Sequence, residues 1–368
     1  MSNFFRELFG KCISGNVEMD PVGLDQNIRT DAAKTAKCNK SNYDLDPESE
    51  IPEKNLKILE DGNFGTLCGF IFKNSCLPGG QEMRVKIKKP QKNRNEKMII
   101  DEIRTMYQVG PHPNILTLIG YTMSKKTPVL IVEYAQNGSL LDYLRSHRET
   151  FVNQLTQEYL GEYGKVKPIE EDSKSLCTFD LLSFAYQLAN GMKYLASREY
   201  VHGKLYCRNI FVSWDKTIRI GEFTEPQQFK NDNSQFLDRD MHPVIEWLAP
   251  EVIAGFGYSE KSDIWAFGFC LLEIFSLGRE SYKGINNRME YLPDRGSFEK
   301  PDYCPHEIYR NMMFFWKEDP NHRPSFSEFE EFLKEQCDEL NFKIIEDLNN
   351  KLELVAMHQR NLRNMIFP

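Results

Sequence analysis

Apolar positions recur along the chain at two spacings, which predict strands in its first part and helices in most of the remainder. Short apolar runs typical of strands lie at 56–59, 67–71, 83–88 and 128–135. Between the third and fourth runs, Ile99, Ile103 and Met106 form one face of a predicted helix. The first part of the chain is therefore expected to consist of strands interrupted by a helix.

Helical spacing dominates the later part of the chain. It predicts a buried helix over Leu181, Phe184, Ala185, Leu188, Met192 and Leu195. Two short strands, 210–212 and 218–220, follow this helix. The stretch 264–277 is apolar nearly all round, which predicts a central, buried helix that is too short for a membrane span. One more amphipathic helix, which packs on the domain or ends it, is predicted from Ile344, Ile345, Leu348, Leu352 and Val355.

Length and composition narrow the class of protein. The chain has 368 residues and a formal net charge of −8, which suits one large domain or two medium ones. The acidic balance argues against nucleic acid as the main partner. Nine scattered cysteines without a CxxC pair predict reduced thiols in a cytoplasmic protein. Neither a transmembrane span nor a secretory signal is predicted.

The first 46 residues carry little pattern and are predicted to form a flexible N-terminal tail. Phe4, Phe5, Leu8 and Phe9 also suit one apolar face of a short helix. Such a helix would pack on the domain or make weak contact with a membrane. Membrane contact would place the protein at the inner face of the plasma membrane instead of free in the cytoplasm.

The stretch 201–209, which reads Val-His-Gly-Lys-Leu-Tyr-Cys-Arg-Asn, lies between the buried helix and the first short strand. It resembles the HRDLAARN catalytic loop of tyrosine kinases, and it keeps the His, Leu, Arg and Asn of that pattern. Further matches lie at kinase spacing at 247–251, at 262–268 and at Arg323, which would pair with Glu251. The resemblance covers roughly 47–337 and is to receptor-type tyrosine kinases such as the FGF receptors.

This resemblance implies an α+β, two-lobed protein kinase fold. A small β-rich N-lobe would span 47–135 and a large helical C-lobe 136–337, with the hinge near Glu133. A polar stretch at 147–177 is interpreted as a kinase insert loop. Residues 338–368 would form a C-terminal helical tail.

The resemblance also implies a nucleotide site between the lobes. In kinases the glycine-rich loop, here at 60–65, lets the backbone approach phosphate oxygens. The positions that would bind ATP are Gly62, Gly65, Leu67, Lys88, Glu102, Glu133, Ala135 and Phe211. Lys88 takes the place of the phosphate-binding lysine, with Glu102 as its partner. The catalytic positions fall to Lys204, Arg208 and Asn209, and the magnesium positions to Asn209 and Glu222.

Two departures from the family pattern affect the chemistry directly. Lys204 replaces the aspartate that serves as catalytic base, and a protonated lysine has no lone pair that could accept a proton. Losing a general base typically costs about 10²–10⁴ in rate. Glu222 replaces the aspartate of the DFG motif and is one methylene longer, which misplaces an ion that needs ligand distances of about 2.0–2.1 Å.

Other departures affect nucleotide binding and activation. Glu60 brings a carboxylate to the phosphate loop, and Lys86 puts a long cation where a small alanine covers the adenine ring. Gly203 removes the arginine that would contact a phosphate on the activation segment. No tyrosine lies between Phe223 and Phe256. ATP and Mg²⁺ binding is therefore predicted to be weak or absent.

By family position, the packing residues Met106, Leu118, His202 and Phe223 are kept, and a fold kept without its chemistry indicates a binding protein. The leading hypothesis is a tyrosine-kinase-like pseudokinase that regulates or scaffolds receptor-kinase signalling. Its partners would be other protein kinases or signalling proteins. Two alternatives stay open: a divergent tyrosine kinase with residual ATP binding and phosphotransfer, and a truncated receptor-kinase duplicate without a selected function.

Overall fold

The computed structural model describes residues 45–58, 67–73, 82–89, 96–124, 127–156, 175–223, 247–279, 299–339 and 344–366. All of these residues belong to one compact unit, Ser41–Pro368. Strands occupy its first part and helices most of the remainder, as the apolar pattern predicts.

The first part of the unit contains a five-stranded antiparallel sheet, in the spatial order β1 (Leu56–Ile58), β2 (Leu67–Lys73), β3 (Glu82–Lys88), β5 (Thr127–Glu133) and β4 (Leu118–Ser124). Helix α1 (Glu96–Val109) connects β3 to β4 and buries its apolar face. Because residues two apart in a strand share a face, Lys86 and Lys88 of β3 project to the same side.

The remainder of the unit is mostly helical. A two-stranded hairpin of β6 (Ile210–Val212) and β7 (Ile218–Ile220) follows the second of its helices. The division into a small sheet and a larger helical part matches the two-lobed architecture that the resemblance implies. The helices are α2 (Leu140–Ser146), α3 (Thr178–Ser197), α4 (Pro250–Ile253), α5 (Glu260–Phe275), α6 (His306–Met312), α7 (Phe326–Glu339) and α8 (Ile344–Ile366).

Helix α5 is buried along almost its whole length, as its apolar sequence predicts. Its Phe267 ring packs edge-on, at centroid distances of 5.4 to 5.5 Å, against the rings of Phe315, Phe326 and Phe329. Gly268 allows close packing on the turn that follows α6, because a Cβ at Gly268 would lie 2.8 Å from the Trp316 ring. These contacts make α5 a rigid support for the loops that lie on it.

A buried amide network joins the two lobes. Asn114, which precedes β4, donates to the Gln187 side chain at 3.1 Å and to the Ile218 carbonyl at 3.2 Å. Gly191 of α3 permits this approach, because a Cβ there would lie 2.7 Å from Ile220 and 3.1 Å from Asn114. The β6–β7 hairpin is therefore fixed against both α3 and the segment that enters β4.

Several of the predictions concern segments outside the described residues. Residues 1–44 of the predicted tail and 157–174 of the predicted insert fall there, and the domain boundaries at 46 and 337 stay predictions. Among the described residues, no helix combines the length and apolarity needed to cross a membrane. Free thiols are carried by the described residues Cys177, Cys207, Cys270, Cys304 and Cys337.

Candidate functional site

Lys88 lies at the centre of a buried ion cluster. Its Nζ is 2.8 Å from the carboxylate of Glu102 in α1 and 2.8 Å from Oε2 of Glu222, which follows β7. Burial works to lower the pKa of Lys88, but the attraction of Glu222 and Glu102 outweighs burial and raises the pKa above its usual value. The predicted contact between Lys88 and Glu102 is present, and Glu222 is a second partner that the sequence did not indicate.

The predicted magnesium ligands, Asn209 and Glu222, supply the oxygen atoms that this ion prefers. One oxygen of Glu222 is 2.8 Å from Lys88 Nζ, so a bound ion would share that carboxylate with a cation. Asn209 donates through Nδ2 to the Lys204 carbonyl at 2.8 Å, which leaves Oδ1 as its ligand atom. The roles of both residues as metal ligands stay predictions.

The loop at 201–209 is held in place by α5. The two oxygens of Asp263 accept the backbone N–H groups of His202 and Gly203, each at 2.7 Å. Burial raises the pKa of Asp263 to about 7, although these two donors work to lower it. Gly203 has a φ of +65°, a left-handed conformation that glycine adopts without strain. The loop is therefore fully formed, with half-buried Lys204 directly after this turn.

His202 is completely buried and neutral. Its Nδ1 accepts the backbone N–H of Lys204 at 3.2 Å, so Nε2 carries the proton and donates to the Gly221 carbonyl at 2.9 Å. Burial lowers the pKa of His202 to about 4. Its ring meets Phe223 edge-on at a centroid distance of 5.5 Å. This contact connects the loop to the segment that follows β7.

Acid should destabilise the protein through His202. The unfolded chain binds a proton at this residue below its ordinary pKa of about 6.5, whereas the native state binds it only near pH 4. The free energy of unfolding should therefore fall as the pH drops through this window, by at most about 1.4 kcal/mol per pH unit. Urea unfolding of the protein and of His202→Gln, measured at several pH values between these limits, checks this expectation.

Comparing the two proteins separates the pH dependence of stability caused by His202 from that caused by its neighbour Asp263. The raised pKa of Asp263 gives a pH dependence of opposite sign, because its native state holds a proton that the unfolded state has lost. Asp263 is present in both proteins, so its contribution cancels. Equal pH dependence in the two proteins would contradict the account of His202.

The side chain of Lys86 reaches across the gap in which the resemblance places adenine. Its Nζ lies 4.1 Å from the centroid of the Phe211 ring in β6. That ring packs closely on Gly221, where a Cβ would lie 2.8 Å from it. A cation over an aromatic ring stabilises by about 0.5–2 kcal/mol. The contact therefore connects β3 of the first lobe to β6 of the second.

The predicted hinge residue Glu133 belongs to a hydrogen-bond cluster. Its Oε1 accepts from the backbone N–H and the hydroxyl of Thr117, each at 2.7 Å, and from Nε of Arg219 at 3.1 Å. Ala135, the next predicted hinge residue, is half-buried. Leu67 begins β2, while Gly62 and Gly65 lie outside the described residues.

The fold and the site geometry agree with a comparison at family level. A family model for protein tyrosine and serine/threonine kinases matches residues 54–333. The chain belongs to this kinase family. The match covers both lobes, and it confirms the two-lobed kinase fold expected from the motifs.

Three relatives place this kinase chain near the receptor-type tyrosine kinases. It is 33% identical over 357 residues to receptor-like tyrosine-protein kinase kin-15 of Caenorhabditis elegans, covering 88% of this chain and 73% of kin-15. It is 33% identical over 344 residues to tyrosine-protein kinase receptor old-1 of the same organism, covering 87% and 66%. A fibroblast growth factor receptor of Halocynthia roretzi is 31% identical over 301 residues, which is 77% of this chain but 38% of the receptor.

Two cations stand in the part of the kinase loop where the base is expected. Lys204 is half-buried, and Arg208 is exposed with its guanidinium carbon 4.5 Å from the Tyr206 ring. Tyr206 meets Trp247 edge-on at 5.5 Å. A protonated lysine and an arginine have no acceptor lone pair, so these two side chains bring positive charge to this part of the loop.

Arg323 tethers the kinase helical lobe in the predicted way. Its side chain is completely buried, and its two terminal nitrogens donate to the two oxygens of Glu251 at 2.6 and 2.8 Å. It also donates to the Lys261 and Lys317 carbonyls at 2.8 and 2.9 Å. Its guanidinium lies 4.9 Å from the Trp265 ring. The paired hydrogen bonds between Arg323 and Glu251 fix the 247–251 segment on the helical lobe.

Two contributors to the kinase site were missed at the level of sequence. Asp263 lies in the recognised segment 262–268, but its partners are backbone groups of a distant loop, which no side-chain pattern reveals. Arg219 lies within a short apolar strand and is 5% exposed. A charge inside an apolar run was the available signal, because a buried charge needs a partner.

Proposed function

We propose that this kinase-family protein is catalytically inactive and that it regulates or scaffolds tyrosine-kinase signalling through contact. Lys204 carries this proposal, because it takes the position of the catalytic base on a loop that is otherwise well formed. Asp263 holds that loop through two hydrogen bonds of 2.7 Å, and His202 adds one of 3.2 Å. A cation at this place attracts phosphate, but it cannot accept the proton of a substrate hydroxyl.

Two further contacts support weak or absent ATP binding. A nucleotide would have to displace Lys86 from the Phe211 ring, 4.1 Å away. Glu222 is paired with Lys88 at 2.8 Å, so the groups expected to meet magnesium and phosphate neutralise each other. The same ion cluster holds α1 on β3 with protein groups alone, so the position of α1 would not depend on a bound nucleotide.

The expected partners are other tyrosine kinases or their substrates. A net charge of −8 disfavours nucleic acid. The expected location is the cytoplasm or the inner face of the plasma membrane. Contact between the N-terminal tail and a membrane is part of this proposal.

Residual enzymatic activity is the second candidate. It is favoured by the Lys88–Glu102 contact at 2.8 Å and by Asn209 at the magnesium position. In that case ATP would bind with magnesium and phosphate would pass slowly to tyrosine.

An assay of the purified full chain separates the two candidates. Radiolabelled transfer to tyrosine peptides is measured beside the thermal shift caused by ATP, with and without Mg²⁺. The proposal expects no transfer and little magnesium-dependent stabilisation. Transfer that disappears in Asn209→Ala, or a tight magnesium-dependent ATP complex, would favour the enzyme.

A cellular assay tests action by contact. Lys204→Ala and Asn209→Ala should both rescue the defect of cells that lack the protein, because neither change alters the remaining surface. Failure of both variants at unchanged abundance would contradict the proposal. Cells that lose the protein without any defect would favour a duplicate without a selected function.

Lys86→Ala should increase the stabilisation that ATP gives to the protein. The change vacates the space over Phe211 and lowers intrinsic stability by about 0.5–2 kcal/mol. Thermal shifts at saturating ATP measure both effects, and Lys86→Arg, which keeps a cation there, is the matched control. Equal ATP shifts for Lys86→Ala and the unaltered protein would mean that Lys86 does not obstruct the slot.

A further inference from the structure

Helix α8 lies beyond the residues that the kinase family model matches, yet it is packed into the C-lobe. Leu348 and Leu352 are 6% and 4% exposed and belong to the main hydrophobic core. Asn349 accepts a hydrogen bond from the Tyr186 hydroxyl of α3 at 3.5 Å. Lys351 contacts the backbone carbonyl of Asp215, in the β6–β7 turn, and lies 3.6 Å from its carboxylate. The first half of α8 is therefore anchored on the C-lobe.

The next turns of α8 reach the N-lobe. Gln359 donates through Nε2 to the hydroxyl oxygen of Thr117, directly before β4, at 2.7 Å. Gln359 is 4% exposed and Thr117 8% exposed. Eight residues separate Lys351 from Gln359, or about 12 Å of rigid helix. One helix thus holds both lobes at two separate points.

The contact with Thr117 leads directly to the hinge. The Thr117 hydroxyl donates to Glu133 at 2.7 Å, and Glu133 also accepts from Arg219 at 3.1 Å. Because the only proton of this hydroxyl points to Glu133, its oxygen can only accept from Gln359. Arg219 donates in turn to the Pro113 carbonyl at 2.5 Å. The hydrogen bonds that connect α8 to the last residue of β5 are donated in one direction, from Gln359 to Thr117 and from Thr117 to Glu133.

We propose that α8 is a brace that sets the angle between the two lobes, and that its undocking is a conformational switch. The brace acts through Gln359, Thr117 and Glu133, so loss of the first contact loosens the hinge. Among the described residues, the buried Oε1 of Gln359 has no hydrogen-bond partner. An unsatisfied buried acceptor is costly, and this makes the distal half of α8 the part that opens first. The brace operates whether or not a nucleotide binds.

Amide hydrogen exchange of the full chain tests the brace with a single mild substitution. Gln359→Leu keeps the size of the side chain and removes the donor to Thr117. Exchange in the distal half of α8 and in residues 127–138 should both speed up about five- to tenfold, the effect of losing one hydrogen bond. Glu353→Gln, at an exposed position of the same helix, should leave both rates unchanged.

A distance measurement tests the lobe angle itself. Genetically encoded probes at exposed Tyr107 in α1 and exposed Phe314 in the C-lobe report the separation by pulsed EPR. The distribution of distances should broaden in Gln359→Leu and, more strongly, in Leu352→Ala, which weakens the C-lobe anchor. Faster exchange confined to α8, with an unchanged hinge and distance distribution, would show that α8 packs without bracing. Unchanged exchange everywhere would overturn the contact itself.

Discussion

Replacing Arg323 by methionine should lower the free energy of unfolding by about 3–5 kcal/mol. The change removes a completely buried guanidinium that holds both oxygens of Glu251, at 2.6 and 2.8 Å. The Glu251 side chain, 15% exposed, then lacks its cation. The carbonyls of Lys261 and Lys317 also lose a donor. Truncation is costly here because it leaves the partners desolvated and unpaired.

Urea unfolding of the full chain measures this loss. Arg310→Met is the matched control, because Arg310 pairs with Glu307 at 3.1 Å while both side chains are at least half exposed. Exposed pairs contribute about 0–1 kcal/mol. The loss of stability in Arg323→Lys should lie between those of Arg323→Met and Arg310→Met. Lysine keeps the positive charge but cannot donate to both Glu251 oxygens as a planar guanidinium does. If Arg323→Met and Arg310→Met cost the same, the tether does not stabilise the lobe.

Lys88→Met should lower the free energy of unfolding about as much as Arg323→Met, by roughly 3–5 kcal/mol. It removes a cation that lies 2.8 Å from each of two carboxylates, Glu102 and Glu222. The Glu102 side chain is only 3% exposed, so water cannot compensate for the missing charge. In this chain Lys88 therefore has a structural part that does not depend on nucleotide.

A second substitution distinguishes charge from packing as the cause. Glu222→Gln in the Lys88→Met background removes one of the two carboxylates that have lost the Lys88 ammonium and should restore part of the lost stability. Lys193→Met is the matched control, because Lys193 pairs with Glu330 at 2.6 Å but is 46% exposed. No recovery in the double variant would mean that the loss comes from packing. A large loss also means that Lys88→Met cannot serve as a purely nucleotide-deficient variant in cells.

The lobes and the main contacts near the loop could be predicted because they rest on local patterns. The periodicity of 181–195 and 264–277 gave two buried helices that are present as α3 and α5. The predicted stack is present in part: His202 meets Phe223 at 5.5 Å. Met106 is buried in the same core, on which half-buried Leu118 packs.

The remaining contacts could not be predicted, because they join residues that are far apart in the sequence. Glu222 was interpreted only as a metal ligand, because its sequence position shows the family motif but not where an extra methylene carries its carboxylate. The contact between Gln359 and Thr117 joins residues 242 positions apart. Periodicity identifies the helix that carries Gln359, but it does not fix how that helix is oriented on the lobes. Such contacts follow from packing, which local patterns do not contain.

The left-handed backbone of Gly203 disfavours the arginine that the kinase pattern has at this position. Its φ is +65°, where a residue with a side chain carries a strain of about 1–2 kcal/mol. The arginine of the HRDLAARN pattern would carry that strain here. Glycine relaxes the loop, and the sequence between Phe223 and Phe256 has no tyrosine whose phosphate an arginine at this position could bind. Any replacement of Gly203 by a residue with a side chain is therefore expected to strain the loop.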